Sequence, residues 1–230
     1  MKYLLLCGAT IFSLVFLGAC KDKQTSEEVV VTKETNKQDN STEIMNSDQK
    51  TILCFGNSLT AGYGLDEDKA WPQLLQERLD SLNMDYNVVN AGLSGETSSG
   101  GLNRIDWVLS QQVDIFILEL GANDMLRGID VQSTEANLNA IIEKVHAKYP
   151  DIPIIVAGML SPPNMGAAYE TSFNAIFPSL SKRHNGKLIP FFLEGVAGKA
   201  ELNLADAKHP NEEGQYVVLE NVWSVLKDVL

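Results

Sequence analysis

The chain has 230 residues and a formal net charge of −12, room for one ordinary domain once any leader is removed. An acidic balance of this size argues against a nucleic-acid binder, which needs a basic face. The three cysteines supply no disulfide framework, because Cys7 and Cys20 fall in the first 20 residues and Cys54 stands alone in a strand pattern.

In chain order, residues 1–20 read MKYLLLCGATIFSLVFLGAC: a basic start at Lys2, an apolar run from Tyr3 to Leu17, small Gly18 and Ala19, then Cys20. This is a signal-peptide layout, too short and one-sided for a mature transmembrane helix. Leu17-Gly18-Ala19-Cys20 resembles the bacterial lipobox, which implies that Cys20 becomes the lipidated first residue; an ordinary signal peptide with a chance cysteine is the alternative. Residues 21–49 hold four Lys against seven Asp/Glu and no Gly, Pro or aromatic residue. Such a segment cannot bury enough apolar surface to offset its ordering entropy. It is expected to be a flexible tether, so that the protein is anchored to a membrane rather than spanning it. Lys2 carries +1 and the tether −3, which leaves −10 on the expected domain, residues 50–230.

Within that domain, short strand-forming runs alternate with longer helical patterns. Strands are expected at Thr51–Phe55, Asp85–Asn90, Val113–Leu118, Pro153–Ala157 and Lys187–Pro190. Helices are expected at 71–82, 98–111, 133–149, 168–184 and 211–229. Ile115-Phe116-Ile117-Leu118 is apolar on both faces, as a central parallel strand is. Repeated βα units predict an α/β fold: a three-layer α/β/α sandwich around a five-stranded parallel sheet, flavodoxin-like in type. Ligands bind such sheets beyond the strands' carboxyl ends. That places Gly56–Thr60, Ala91–Thr97, Glu119–Asp124 and Leu160–Gly166 on one rim. Trp71 and Trp107 read as helix-face core, Trp223 as facing sheet or solvent, and Cys54 as a small buried hydrophobe.

Ser58 ends the run Ile52-Leu53-Cys54-Phe55-Gly56-Asn57, which holds a hydroxyl at the sheet edge. A serine hydroxyl is a poor nucleophile until a base takes its proton. Of three histidines, His146 lies on a charged helix face and His184 at a helix end, where it can meet the last carbonyls. His209 lies in Asp206-Ala207-Lys208-His209-Pro210, before the final helix, with Pro210 as a first helical residue. Asp206 can turn back onto Nδ1 and leave Nε2 for a hydroxyl, although an Asp-x-x-His loop taken alone is also a common structural device. Gly95 and Asn123 sit in loops that could donate to a developing oxyanion; an ordinary turn or cap role is open to Asn123.

Four blocks, in order over residues 51–229, resemble the SGNH/GDSL hydrolases, and within them the bacterial exported thioesterase, lysophospholipase and arylesterase branch. They are Gly56-Asn57-Ser58-Leu59-Thr60-Ala61-Gly62-Tyr63-Gly64, Asn90-Ala91-Gly92-Leu93-Ser94-Gly95-Glu96-Thr97, Gly121-Ala122-Asn123-Asp124 and Asp206-Ala207-Lys208-His209-Pro210. The resemblance implies Ser58 as nucleophile, His209 as base and Asp206 as its orienter. It implies an oxyanion hole from the N–H groups of Ser58 and Gly95 and the amide of Asn123, and chemistry that needs no metal or cofactor. The family usually writes Gly-Asp-Ser-Leu, whereas here Asn57 stands second and removes a negative charge beside Ser58; Glu96 likewise stands where Asp is usual. Asn57 is expected to hold the turn through nearby backbone.

The expected reaction is hydrolysis of carboxylic esters or thioesters of acyl chains through an acyl-serine, with a small-molecule acyl ester or lipid as substrate, no nucleic acid partner, and a monomer. A carbohydrate O-deacetylase of the same superfamily is the alternative. A flavin-phosphate loop of the flavodoxin kind would leave Asp206, His209 and Asn123 idle, and a dead binding protein would lack Ser58, Asp206 or His209. Met159, Leu160, Pro162, Pro163, Met165, Phe191, Phe192 and Leu193 either line an acyl groove or pack beneath loops.

Overall fold

The computed structural model of the chain describes residues 49–230. The expected signal segment with Cys7 and Cys20, and the tether through residue 48, lie outside the described residues.

The first strand, β1 (Lys50–Gly56), has an exposed first residue and then stays buried to its end, with Ile52, Leu53, Cys54 and Phe55 fully enclosed. Alternating burial would mean one covered face; continuous burial means cover on both. Burial also pushes the Cys54 thiol far up from its ordinary pKa, which makes it an inert packing group. With β2 (Tyr86–Gly92), β3 (Ile115–Glu119), β4 (Ile154–Ala157) and β5 (Lys187–Ile189) it forms a parallel sheet of order β2-β1-β3-β4-β5. The expected central strand is central, and all five of its residues are buried.

The helices are α1 (Ser58–Ala61), α2 (Trp71–Ser81), α3 (Ser98–Val108), α4 (Ala122–Leu126), α5 (Val131–Lys148), α6 (Ala167–Arg183) and α7 (Glu212–Leu226). The β1-to-β2 crossover through α2 runs one way across the sheet. The crossovers through α3, α5 and α6 run the other way. Right-handed connections therefore put α2 on one face and α3, α5 and α6 on the other. Packing of α3 on α5, α5 on α6 and α7 on α2 completes the three layers. Among the described residues no helix is long and apolar enough to cross a membrane.

Element boundaries fall within about three residues of the expected ones, a normal fraying margin. Two short helices, α1 and α4, occupy stretches that read as loops; each follows a strand end directly. Trp107 corrects another expectation. It is 77 % exposed, because the buried stripe of α3 is Ser98, Gly101, Ile105 and Val108, and residue 107 points away from that face. Pro210 is not the first helical residue of α7: Asn211 caps that helix through a hydrogen bond from the Gly214 N–H at 3.0 Å.

Two features bring distant parts of the described sequence to one rim. The register aligns Gly56 with Gly92 on one side and with Glu119 on the other, so three strands end level. At the far end of the sequence, the buried Gln215 side chain accepts the Trp71 N–H at 3.0 Å, and Arg78 pairs with Glu220. These contacts dock α7, and the loop before it, onto α2.

Helix α1 rests on the end of β2 so closely that a Cβ at Gly92 would lie 2.3 Å from the Ala61 backbone nitrogen. Gly92→Ala is therefore expected to destabilise the fold by about 1–3 kcal/mol, read as a lower denaturant midpoint at unchanged slope. A midpoint equal to wild type would mean the helix is free to lift.

Candidate active site

The site begins where β1 stops. Asn57 caps α1, its side-chain Oδ1 accepting the Leu59 N–H at 2.9 Å. Gly62, at φ +72°, closes the turn by donating to the Ser58 carbonyl. Only glycine takes that left-handed conformation without steric cost. The turn lifts Ser58 to the rim, where it is 8 % exposed. The expected structural job of Asn57 is thus observed, with one addition: its Nδ2 donates to Glu119 Oε1 at 2.7 Å.

Ser58 Oγ lies 2.8 Å from His209 Nε2, across 151 residues of sequence. The other ring nitrogen, Nδ1, lies 2.5 Å from Asp206 Oδ2. The network assigns Nδ1 as the protonated nitrogen, so that Nε2 can accept from the hydroxyl. Asp206 is held by its own loop: Oδ1 accepts the Lys208 N–H at 2.9 Å and the His209 N–H at 3.1 Å. Ala207 turns this loop at φ +55°, and the Leu204 N–H closes it on the His209 carbonyl at 2.8 Å. The imidazole is also covered by Tyr63, with ring centroids 4.5 Å apart. The hydrogen bond from His209, joined by that of Lys208, holds the Asp206 carboxyl down at about 2.

The loop after β2 is braced on three sides. Glu96 is buried and forms a two-pronged pair with Arg104, at 2.6 and 2.5 Å. Arg104 also donates to the Ala91 carbonyl at 2.7 Å and lies over the Phe55 ring. Arg127 Nη2 donates to the Gly95 carbonyl at 2.8 Å, and Gly95 itself sits at φ +81°. From the next loop, Asn123 Nδ2 donates to the Glu96 carbonyl at 3.0 Å. That bond uses one of the two amide protons and fixes the plane of the other. Buried Asp124 ties the same two loops together by accepting the Ser98 N–H and hydroxyl at 2.8 and 2.5 Å.

Ser58, Asn123 and His209 line a cleft of about 390 Å³. Its walls divide the apolar loop residues between cleft, core and surface. Met159, Leu160, Pro162, Phe191 and Leu193 line it, joined by Met125 and Leu126 of α4. Phe192 is fully buried in the core, and Pro163 and Met165 are exposed outside the cleft lining. A cavity of about 420 Å³ at the opposite end of the sheet, around Lys50, Asp114 and Lys148, is as large, so volume alone does not mark a site; the Ser–His contact does. The other histidines stay apart from it. His184 Nε2 meets Asn139 Oδ1 at 2.9 Å rather than helix carbonyls, and the half-buried His146 ring lies 5.7 Å from that of His184. Burial, with His146 and Arg183 nearby, lowers the His184 pKa.

Glu119, Tyr63, Arg127 and Asp124 are the residues of this region that pattern reading passes over. Only Glu119 carried a local signal, a charge ending the apolar run of β3.

The tautomer is testable without turnover. Asp206→Asn presents an amide that can donate to Nδ1, so the His209 proton is expected to move to Nε2, visible in the ring ¹⁵N shifts. An unmoved tautomer would mean that Asp206 does not orient the ring. Because the Asp206 pKa is lowered on folding, its stabilising contribution is present above about 3.8 and lost as pH falls through about 2.

Comparison with known proteins identifies the family. Residues 54–217 match the model of the GDSL-like Lipase/Acylhydrolase family. Esterase TesA of Pseudomonas aeruginosa is 38 % identical over 182 residues, covering 79 % of this chain and 90 % of that protein. Thioesterase 1/protease 1/lysophospholipase L1 of Escherichia coli K12 is 40 % identical over 166 residues, covering 72 % and 77 %. A crystal structure of TesA, 38 % identical, superposes with a TM-score of 0.74 over 79 % of this chain and all of that one. A matched segment longer than half the chain, together with these relatives, shows that the chain is an ester-hydrolysing enzyme belonging to the GDSL-like lipase/acylhydrolase family.

Proposed function

We propose that the protein hydrolyses carboxylic esters or thioesters of acyl chains through an acyl-Ser58 intermediate. The observation that carries this reading is the 2.8 Å contact of Ser58 Oγ with His209 Nε2, backed by Asp206 on Nδ1. His209 takes the hydroxyl proton as Ser58 attacks the acyl carbonyl, and Asp206 stabilises the imidazolium. The N–H groups of Ser58 and Gly95 and the free amide proton of Asn123 take the charge on the carbonyl oxygen. His209 then protonates the leaving group, and water repeats the sequence on the acyl-enzyme. None of these steps calls for a metal or cofactor.

The cleft supports an acyl substrate. Its volume is near the lower end of ordinary ligand sites, roughly 300–1,000 Å³, and Leu126, Leu160 and Leu193 make its walls apolar. A modest acyl chain fits that lining better than a polar sugar acetate does. The relatives named for esterase, thioesterase and lysophospholipase activity favour the same substrate class.

The N-terminal pattern supports export: residues 1–20 as a signal peptide, Cys20 as the lipidated residue, residues 21–49 as a tether, and the hydrolase domain, acting as a monomer, held near a bacterial envelope membrane.

A panel of p-nitrophenyl esters is expected to show kcat/KM rising from acetyl to longer acyl chains, with Ser58→Ala lowering kcat by on the order of 10⁴ or more. Preference for acetyl esters would favour a deacetylase; full turnover by the variant would dismiss Ser58 as nucleophile. Cys20→Ser is expected to release the protein from membranes, as read by fractionation, and retention would refute the lipid anchor.

A further inference from the structure

Glu119 closes β3 and is wholly enclosed. Three donors converge on its carboxyl: Asn57 Nδ2 on Oε1 at 2.7 Å, and the Asn57 N–H and Thr60 hydroxyl on Oε2 at 3.1 and 2.8 Å. The space is tight, since a Cβ at Gly56 would lie 2.6 Å from Oε2. No donor here belongs to a charged group. Arg104 reaches the neighbouring Gly56 carbonyl instead, at 3.4 Å.

The Asn57 carboxamide has two unlike ends. Its Nδ2 meets Glu119, which turns Oδ1 toward the Leu59 N–H and leaves it 3.4 Å from Ser58 Oγ. A flipped amide would set oxygen against oxygen at Glu119 and donor against donor at Leu59. We propose that Glu119 is a positioning residue for Ser58: it sets the direction of the Asn57 carboxamide, and positions 57 and 119 work by one donor facing one acceptor, whichever residue supplies which. This rests on reading Ser58 as the nucleophile.

Protonation does not undo the arrangement. Burial pushes the Glu119 pKa up to about 8, against the opposing hydrogen bonds of Thr60 and Asn57. A protonated Oε2 can donate a hydrogen bond to the Thr60 hydroxyl oxygen, and Oε1 still accepts from Asn57 Nδ2. The commoner Gly-Asp-Ser-Leu pattern would face this carboxyl with another, and two carboxyls at this distance must share a proton. Asn57 removes that requirement.

The test exchanges amide and carboxylate. In Glu119→Gln the new amide has one acceptor, so its NH₂ must face either Asn57 Nδ2 or the backbone N–H at 57, donor against donor. In the double variant N57D/E119Q the NH₂ at 119 donates to the carboxylate at 57, and the amide oxygen takes the backbone N–H and Thr60. Steady-state kinetics on a p-nitrophenyl acyl ester and the thermal midpoint are measured for both. E119Q is expected to lose kcat by about tenfold or more with KM within about threefold, and the double variant to recover kcat to within about threefold of wild type. A double variant no more active than E119Q overturns the proposal, as does E119Q with wild-type kcat. Recovery of the midpoint without kcat makes the pair structural only and also overturns it. Should E119Q fail to fold, the double variant is compared with wild type directly: folded and active supports the pairing, unfolded or inactive ends it. A wild type that hydrolyses no ester refutes the proposed function instead, and the pairing is then judged by the midpoints alone.

Discussion

Helix α1 lies against the level ends of β1, β2 and β3, and the arrangement of the rim follows from that contact. Gly56 and Gly92 leave no room for a side chain between the strand ends and the turn, since a Cβ at either would meet atoms of Thr60, Ala61 or Glu119 at 2.6 Å or less. Because the backbone approaches this closely, Asn57 can reach Glu119 on the neighbouring strand β3, and Ser58 stands over the sheet instead of over solvent. Interiors of native density transmit such constraints rather than absorb them.

Around that contact the polar groups divide the work. Arg104 and Glu96 brace the loop that carries Gly95, and Asn123 and Asp124 tie the same loop to α4. These are buried or half-buried directional bonds, costly to leave half-made, so the proposed oxyanion donors are oriented before any substrate arrives. The apolar wall comes mostly from the loops after β4 and β5, with Met125 and Leu126 added from α4. The groups proposed for chemistry and those proposed for acyl selection overlap only on α4, which carries the proposed donor Asn123 and the wall residues Met125 and Leu126. Changes in the wall after β4 and β5 need not disturb the donors.

Much of this was legible in the residues. The continuous apolar runs of β1 and β3 announced buried parallel strands, and the Gly-Asn-Ser turn and the Asp-x-x-His loop announced the groups that now meet. What escaped has a common cause. Trp107 has the apolar character of a core residue, but the buried face of α3 is the stripe Ser98, Gly101, Ile105 and Val108. Glu119 showed only as a charge ending an apolar run: its partners are 59 and 62 residues away, and the strand register brings them together. Tyr63 covers His209 from α1's far side of the sequence, a contact that no local pattern encodes. The division of the loop hydrophobes into cleft wall, core and surface likewise depends on the docking of α6 and α7.

Asp206 and His209 stand three residues apart on one tight turn, so their mutual geometry is fixed by that turn alone, whereas the approach to Ser58 depends on how α7 is seated. A swing of this segment would lengthen the gap between imidazole and hydroxyl while the ring kept its tautomer. Such opening would switch the enzyme off without scrambling it, and reclosure would restore a competent base with no proton to rearrange.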